Sequence, residues 1–308
     1  MSGTIPVVDL TAYTGTDKAA RAEFVEALGA GLERFGFVAV SGHGIDAATL
    51  EEAYAVARRV FALSTDTKRR YETPEDGRQR GYTSFGVEHA KDTQVPDLKE
   101  FWHVGRTLPA DHPGRLSGDV PANRHPAEVP EFGPLFDSLF ARMEGFANAL
   151  LEGVAEYLGQ PTSYFRQMVT DGNSVLRLIN YPELGGGVPG GALRAAAHED
   201  INLLTVLPVS TKPGLELLTR EGVWMPVHVP PDVMVCDTGD MMQLLTGGRL
   251  PATTHRVVNP GGRDGGRLSM PFFLHPHPDW MLTPLRGDAP AVRTREFLHE
   301  RLKAIGVA

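Results

Sequence analysis

The sequence predicts an α+β protein with a mainly β core, folded as an antiparallel sandwich or barrel behind an N-terminal region of helices and strands. Three observations carry that prediction. After Asp171 and Gly172 the hydrophobic period switches from near 3.6 to two, in short segments separated by turn residues. Before that point an apolar stripe from Phe132 to Tyr157, repeating at three and four residues, marks one long core-spanning helix. The first third of the chain alternates amphipathic helices with short strands.

In chain order, Ile5 to Leu10 reads as a short strand, followed by a helix with Thr16 as N-cap and Phe24, Leu28 and Leu32 on one buried stripe. Phe37 to Val40 reads as a strand stopped by Ser41, Gly42, His43 and Gly44, where a lone histidine between glycines is expected to stabilise the turn. Asp46 caps a second helix with Leu50, Tyr54, Ala57 and Phe61 on one face. Ser64 to Tyr71 predicts a short helix whose Lys68, Arg69 and Arg70 form a solvated face. Gly77 to Tyr82 is an irregular loop of the kind that lines sites, and 107–130 reads as a long surface connection.

A long helix is expected over about Glu131 to Leu158, closed by Gly159. The strands that follow are Val175 to Tyr181, Asn202 to Leu207, Leu215 to Leu218, Val223 to Val227, Val233 to Cys236, His255 to Val258 and Leu268 to Leu274. Val292, Phe297, Leu298 and Leu302 mark a last helix within 288–305. One compact unit is expected over 1–308, with an N-terminal region at 1–110, the backing helix at 131–158 and the β core at 172–280.

Composition narrows the function classes. A formal charge of −8 and a pI near 5.8 argue against nucleic acid or an anionic membrane as the main partner. No apolar run reaches the length of a membrane span, and no basic segment followed by an apolar one opens the chain, so a cytoplasmic protein is expected. The single cysteine, Cys236, excludes an internal disulfide and a Cys-rich zinc site. It is expected to be a small buried hydrophobe.

The chemistry centres on Ala197 to Ile201, which sets His198 and Asp200 two residues apart in an apolar, strand-like stretch. On a strand such residues share a face, roughly 7 Å apart along the backbone, and can lean onto one metal ion. His255, several strands later, is the candidate third ligand. Two imidazoles and a carboxylate on one side of an iron ion leave three positions open, the arrangement of non-haem Fe(II) oxygenases. A structural zinc closes all four of its positions. A competing pair, His277 and Asp279, lies among prolines and reads as a turn leaving the barrel. Farther along, Arg267 and Ser269 share a strand face, where a guanidinium and a hydroxyl can hold one carboxylate.

With these residues in place, the chain resembles the isopenicillin N synthase-like branch of the iron(II)- and 2-oxoglutarate-dependent oxygenases over nearly its whole length. Ile5 to Leu10 and Phe35 to Ile45 are similar to that branch's N-terminal region. Asn180-Tyr181-Pro182 resembles its Tyr-Pro motif, and Gly239-Asp240 with Gly247-Gly248-Arg249 resembles the stretch before its distal histidine. The resemblance implies a double-stranded β-helix (jelly-roll, cupin-like) core with His198, Asp200 and His255 as iron ligands. It further implies that Arg267, Ser269 and Tyr181 hold the distal carboxylate of 2-oxoglutarate. O2 would be the second co-substrate, with succinate and CO2 released as a small molecule is hydroxylated, desaturated or cyclised. The longer Asn-Tyr-Tyr-Pro form is absent, and Ile179 stands where its asparagine would fall.

For the primary substrate, strand alternation sends Arg177 and Ile179 the same way as Tyr181. Arg177 is a candidate partner for a substrate carboxylate, with a structural ion pair as the equal alternative; Arg80 and Phe273 are weaker candidates. Three other functions stay open: an isopenicillin N synthase-type oxidase that needs no 2-oxoglutarate, a non-catalytic binding barrel, and a metal-dependent hydrolase.

Overall fold

The computed structural model describes residues 4–87, 99–183, 194–258 and 266–304. Short polar side chains start the N-terminal helices. Asp17, rather than Thr16, caps the helix Lys18–Phe35: its Oδ1 accepts from the Ala19 and Ala20 amides at 2.8 and 3.3 Å. Asp46 caps Ala47–Phe61, accepting from the Thr49 amide at 2.8 Å. Gly36, at φ 65°, ends the Lys18–Phe35 helix in the left-handed region and turns the chain into the strand Phe37–Ser41. His43 is a turn residue as expected, its ring nitrogens meeting the Ile45 amide and the Asp232 carbonyl.

The described strands form two main sheets. The larger runs in the order Val7–Asp9, Phe37–Ser41, Met234–Thr238, Leu204–Pro208, Phe272–Leu274, Val175–Tyr181, Glu100–Gly105, Gly81–Thr83, with Arg267–Ser269 also paired to Val175–Tyr181. The smaller runs Ala195–His198, His255–Val257, Leu215–Leu218, Trp224–Pro226. Residues of both sheets line one cavity of about 590 Å³, the arrangement of a double-stranded β-helix. The long helix spans Phe132–Tyr157 and packs its apolar stripe on the larger sheet and on Lys18–Phe35. A Cβ at Gly29 would sit 2.0 Å from the Tyr157 ring, so only glycine permits that helix crossing. Among the described residues no helix is long and apolar enough to cross a membrane.

Three features differ from the sequence reading. The expected strand Leu268 to Leu274 breaks at Met270–Pro271 into two, because proline has no N–H to pair. Glu100–Gly105 is an unforeseen strand, buried throughout despite its Glu and His. Its acid is satisfied by the third difference: Lys68 is buried, not solvated. The Lys68 ammonium donates to Glu100 Oε2 at 2.7 Å and to the Phe61 carbonyl at 3.0 Å, while Tyr82 and Asn180 donate to the same carboxylate. Removing one partner strands the other charge away from water. Lys68→Met is expected to cost about 3–5 kcal/mol of stability, read from urea unfolding midpoints. A loss below about 1 kcal/mol, the range of exposed pairs, would show the pair to be solvated after all.

Candidate active site

His198 ends the strand Ala195–His198 and stands directly across from His255, which begins the neighbouring strand. Asp200 lies beyond the strand rather than within it. The backbone has already turned there, and the Asp200 carbonyl accepts from the Asp240 amide at 2.8 Å. That turn, not strand alternation, brings the carboxylate back: Asp200 Oδ1 is 3.8 Å from Nε2 of each histidine. The three donor atoms lie within 4.8 Å of one another, and no fourth His, Cys, Asp or Glu joins them among the described residues.

Both imidazoles are set in one tautomer. His198 Nδ1 lies 2.8 Å from the Ala196 carbonyl and His255 Nδ1 lies 3.1 Å from the Thr253 carbonyl. A carbonyl only accepts, so each Nδ1 carries the proton and each Nε2 turns its lone pair to the centre. Removal from bulk water, helped by the neighbouring His255, pulls His198 down to about 4, so it is neutral near pH 7. Asp200 Oδ2 accepts from the Thr205 hydroxyl, which in turn accepts from Asn202 Nδ2 at 2.8 Å. Beside them Asp237 is buried, and burial together with the Asp200 charge pushes its carboxyl well above the usual range. Phe37, from the N-terminal region, sets its ring edge-on to His255 at 5.5 Å between centroids. Two imidazole nitrogens and one carboxylate oxygen suit ferrous iron with open positions.

A second cluster sits on the larger sheet. Arg267 pairs in register with Tyr181, and Ser269 with Ile179. The Arg267 guanidinium is buried; its Nε donates to the Lys212 carbonyl at 3.1 Å and Nη2 to Ser210 Oγ at 2.6 Å, which leaves Nη1 buried with no partner. Burial lowers its pKa, with the nearby Tyr181 and Tyr54 pulling the other way. An unsatisfied buried N–H on a cation is costly, and a ligand carboxylate would satisfy it. The cradle therefore fits the distal end of 2-oxoglutarate.

The sequence-nominated substrate residues divide. Arg177, Ile179 and Phe273 line the cavity with Tyr181, as alternation requires. The Arg177 guanidinium lies 4.3 Å from the Phe101 ring centroid and 5.4 Å from that of Phe273, and its Nε donates to His103 Nε2 at 2.7 Å. Arg80 does not face the cavity. It is wholly buried, donating to the Gln79 carbonyl and to Asn173 Oδ1, both at 2.7 Å, so its nomination as an anion partner is corrected.

Sequence reasoning missed Phe37, Asp237 and His275, which line the cavity together with Gln79 of the Gly77 to Tyr82 stretch expected to line a site. His277 and Asp279 form the expected turn, the Asp279 amide donating to His277 Nδ1. His275, at the start of that turn, was hidden by the prolines that follow it.

Comparison with known proteins agrees with this geometry. The family profile described as "2OG-Fe(II) oxygenase superfamily" matches residues 172–276, and that described as "non-haem dioxygenase in morphine synthesis N-terminal" matches residues 5–131. A crystal structure assigned to the 2OG-Fe(II) oxygenase family, from Caulobacter crescentus, is 38% identical with a TM-score of 0.87, covering 99% of this chain and 100% of that one. The 2-oxoglutarate-dependent dioxygenase caaD of Aspergillus niger is 30% identical over 88% of this chain and 84% of its own. Validamycin A dioxygenase of Streptomyces hygroscopicus subsp. limoneus is 29% identical over 92% and 80%. The chain belongs to the iron(II)- and 2-oxoglutarate-dependent oxygenase family, in its isopenicillin N synthase-like branch.

Proposed function

We propose that His198, Asp200 and His255 hold the ferrous ion and that Arg267, Ser269 and Tyr181 hold the distal carboxylate of 2-oxoglutarate, in a dioxygenase that oxidises an unactivated C–H bond of a small molecule. The observation that carries this reading is the meeting, in one cavity, of a three-donor cluster with a buried guanidinium that has an unpartnered N–H. When bound, iron and 2-oxoglutarate supply the oxidising power from O2, with succinate and CO2 released. The chain's own residues bind, orient and exclude water. Relatives named as 2-oxoglutarate-dependent favour this reading over an oxidase that uses O2 alone.

Arg177 completes the reading as the partner of a substrate carboxylate. Its guanidinium lies against two aromatic rings and donates to His103. A guanidinium already positioned by such contacts suits a bidentate carboxylate. Arg177→Leu is expected to raise KM for a carboxylate substrate at least about tenfold, the low end for losing a charged hydrogen bond. An unchanged KM would make Arg177 structural.

The function itself is tested with iron and 2-oxoglutarate under air: succinate release that requires Fe(II), with a mass-spectrometric screen of small molecules for gain of one oxygen or loss of two hydrogens. Turnover of any substrate without 2-oxoglutarate would overturn the assignment.

A further inference from the structure

We infer that Gln79 and His275 form a hydrogen-bonding edge of the substrate site that selects small molecules bearing an amide N–H, such as a lactam or carboxamide, with Arg80 and Asn173 as its positioning residues. The inference rests on the oxygenase reading and deepens it.

Two strained loops meet at this edge. Among the described residues, only Arg78 (φ 58°) and Asp171 (φ 55°) hold positive φ without being glycine. Arg78 immediately precedes Gln79, and Asp171 opens the turn Gly172-Asn173-Ser174. Such backbone persists only where the surroundings enforce it. Arg80, buried with no ion pair among the described residues, reaches both loops. Its guanidinium fills the space that a side chain at Gly105 would take, a Cβ there lying 1.9 Å from Arg80 Cζ. One arm donates to the Gln79 carbonyl and the other to Asn173 Oδ1, which ties the two loops together. A buried cation spent on two neutral acceptors is expensive unless the loop it fixes has a task.

That task lies with Gln79, which lines the cavity and whose carboxamide is the group left to serve it. Its internal contacts, to the Gly77 carbonyl and from Asn173 Nδ2, are both 3.4 Å, beyond the usual N–H···O range. Its donor and acceptor are thus little used within the protein. On the other side of the same turn the His275 amide donates to Ser174 Oγ at 3.2 Å, and Gly172 packs on the His275 carbonyl with no room for a side chain. His275 Nδ1 faces the Phe273 carbonyl at 3.3 Å, so Nδ1 carries the proton and Nε2 is an acceptor in the cavity. Burial keeps the ring neutral by lowering its pKa to about 4. The edge therefore offers a donor and an acceptor from Gln79 and an acceptor from His275. An amide group complements that set, whereas a hydrocarbon would leave its members unpaired.

The test uses the full chain loaded with Mn(II) and 2-oxoglutarate under nitrogen, titrated calorimetrically with L-pyroglutamate and with cyclopentanecarboxylate. The second probe keeps ring and carboxylate but has no amide. The expected result is a preference for pyroglutamate of at least about tenfold, falling below about threefold in Gln79→Leu and in His275→Leu. Gln79→Met replaces the leucine variant if that one melts early. Asn173→Ala, which cuts the tie from Arg80, should also lower the ratio; a variant that only lowers the melting temperature while the ratio stands would overturn the positioning role. Equal affinity for the two probes, no binding of pyroglutamate, or a preference that survives in either leucine variant would overturn the edge. Iron-dependent succinate release seen alongside such a failure would leave the oxygenase reading intact and remove only this edge.

Discussion

Asp200→Ala is expected to weaken divalent-metal binding by more than about 100-fold, the upper end of what loss of an outer-shell partner costs a metal site. The reason lies in the charge balance of the cluster. The carbonyl contacts fix both imidazoles with Nε2 toward the centre, and an imidazole ligand brings no negative charge, so Asp200 is the only donor of the three that does. Its loss also strands the Thr205 hydroxyl and leaves the Asp237 carboxyl without its neighbour. Equilibrium dialysis against Mn(II), with His255→Ala alongside, measures the effect; Fe(II)-dependent succinate release should vanish in both. Retention of metal within threefold in either variant would place the ion elsewhere.

Arg267→Leu should act on 2-oxoglutarate and leave the metal alone. The guanidinium is fixed by the Lys212 carbonyl and Ser210 before any ligand arrives, and its buried Nη1 has no other use. Truncating one partner of a buried, hydrogen-bonded charge pair costs 2–5 kcal/mol, so KM for 2-oxoglutarate should rise at least about 30-fold. Arg267→Lys should recover little, because a point charge cannot reproduce the planar fork. A KM within threefold of the parent enzyme would remove Arg267 from the co-substrate site.

The candidate centre was legible in the sequence where its signals were local. His198 and Asp200 are near neighbours, Arg267 and Ser269 share a strand face, and the alternation from Val175 to Tyr181 holds in the structure. What escaped depends on pairing between distant segments. Phe37 reaches His255, and Asp237 reaches Asp200, only because Phe37–Ser41 and Leu204–Pro208 flank Met234–Thr238, and no local pattern announces that order. Glu100–Gly105 was missed because a strand buried on both faces has no alternation to read, and its acid depends on a lysine more than thirty positions away. Arg80 misled for the converse reason: a lone arginine in a loop does not reveal whether its guanidinium faces a ligand or its own backbone.

The strand Phe37–Ser41 is hydrogen-bonded along both of its sides, to Val7–Asp9 in parallel and to Met234–Thr238 in antiparallel fashion. Its amide protons should therefore resist deuterium until the whole chain opens. For the same reason an expression fragment starting near the catalytic profile would be a poor reagent. Without Phe37–Ser41, Met234–Thr238 becomes a bare border ready to recruit a second molecule, so such a truncation should be recovered as aggregate rather than as a minimal enzyme.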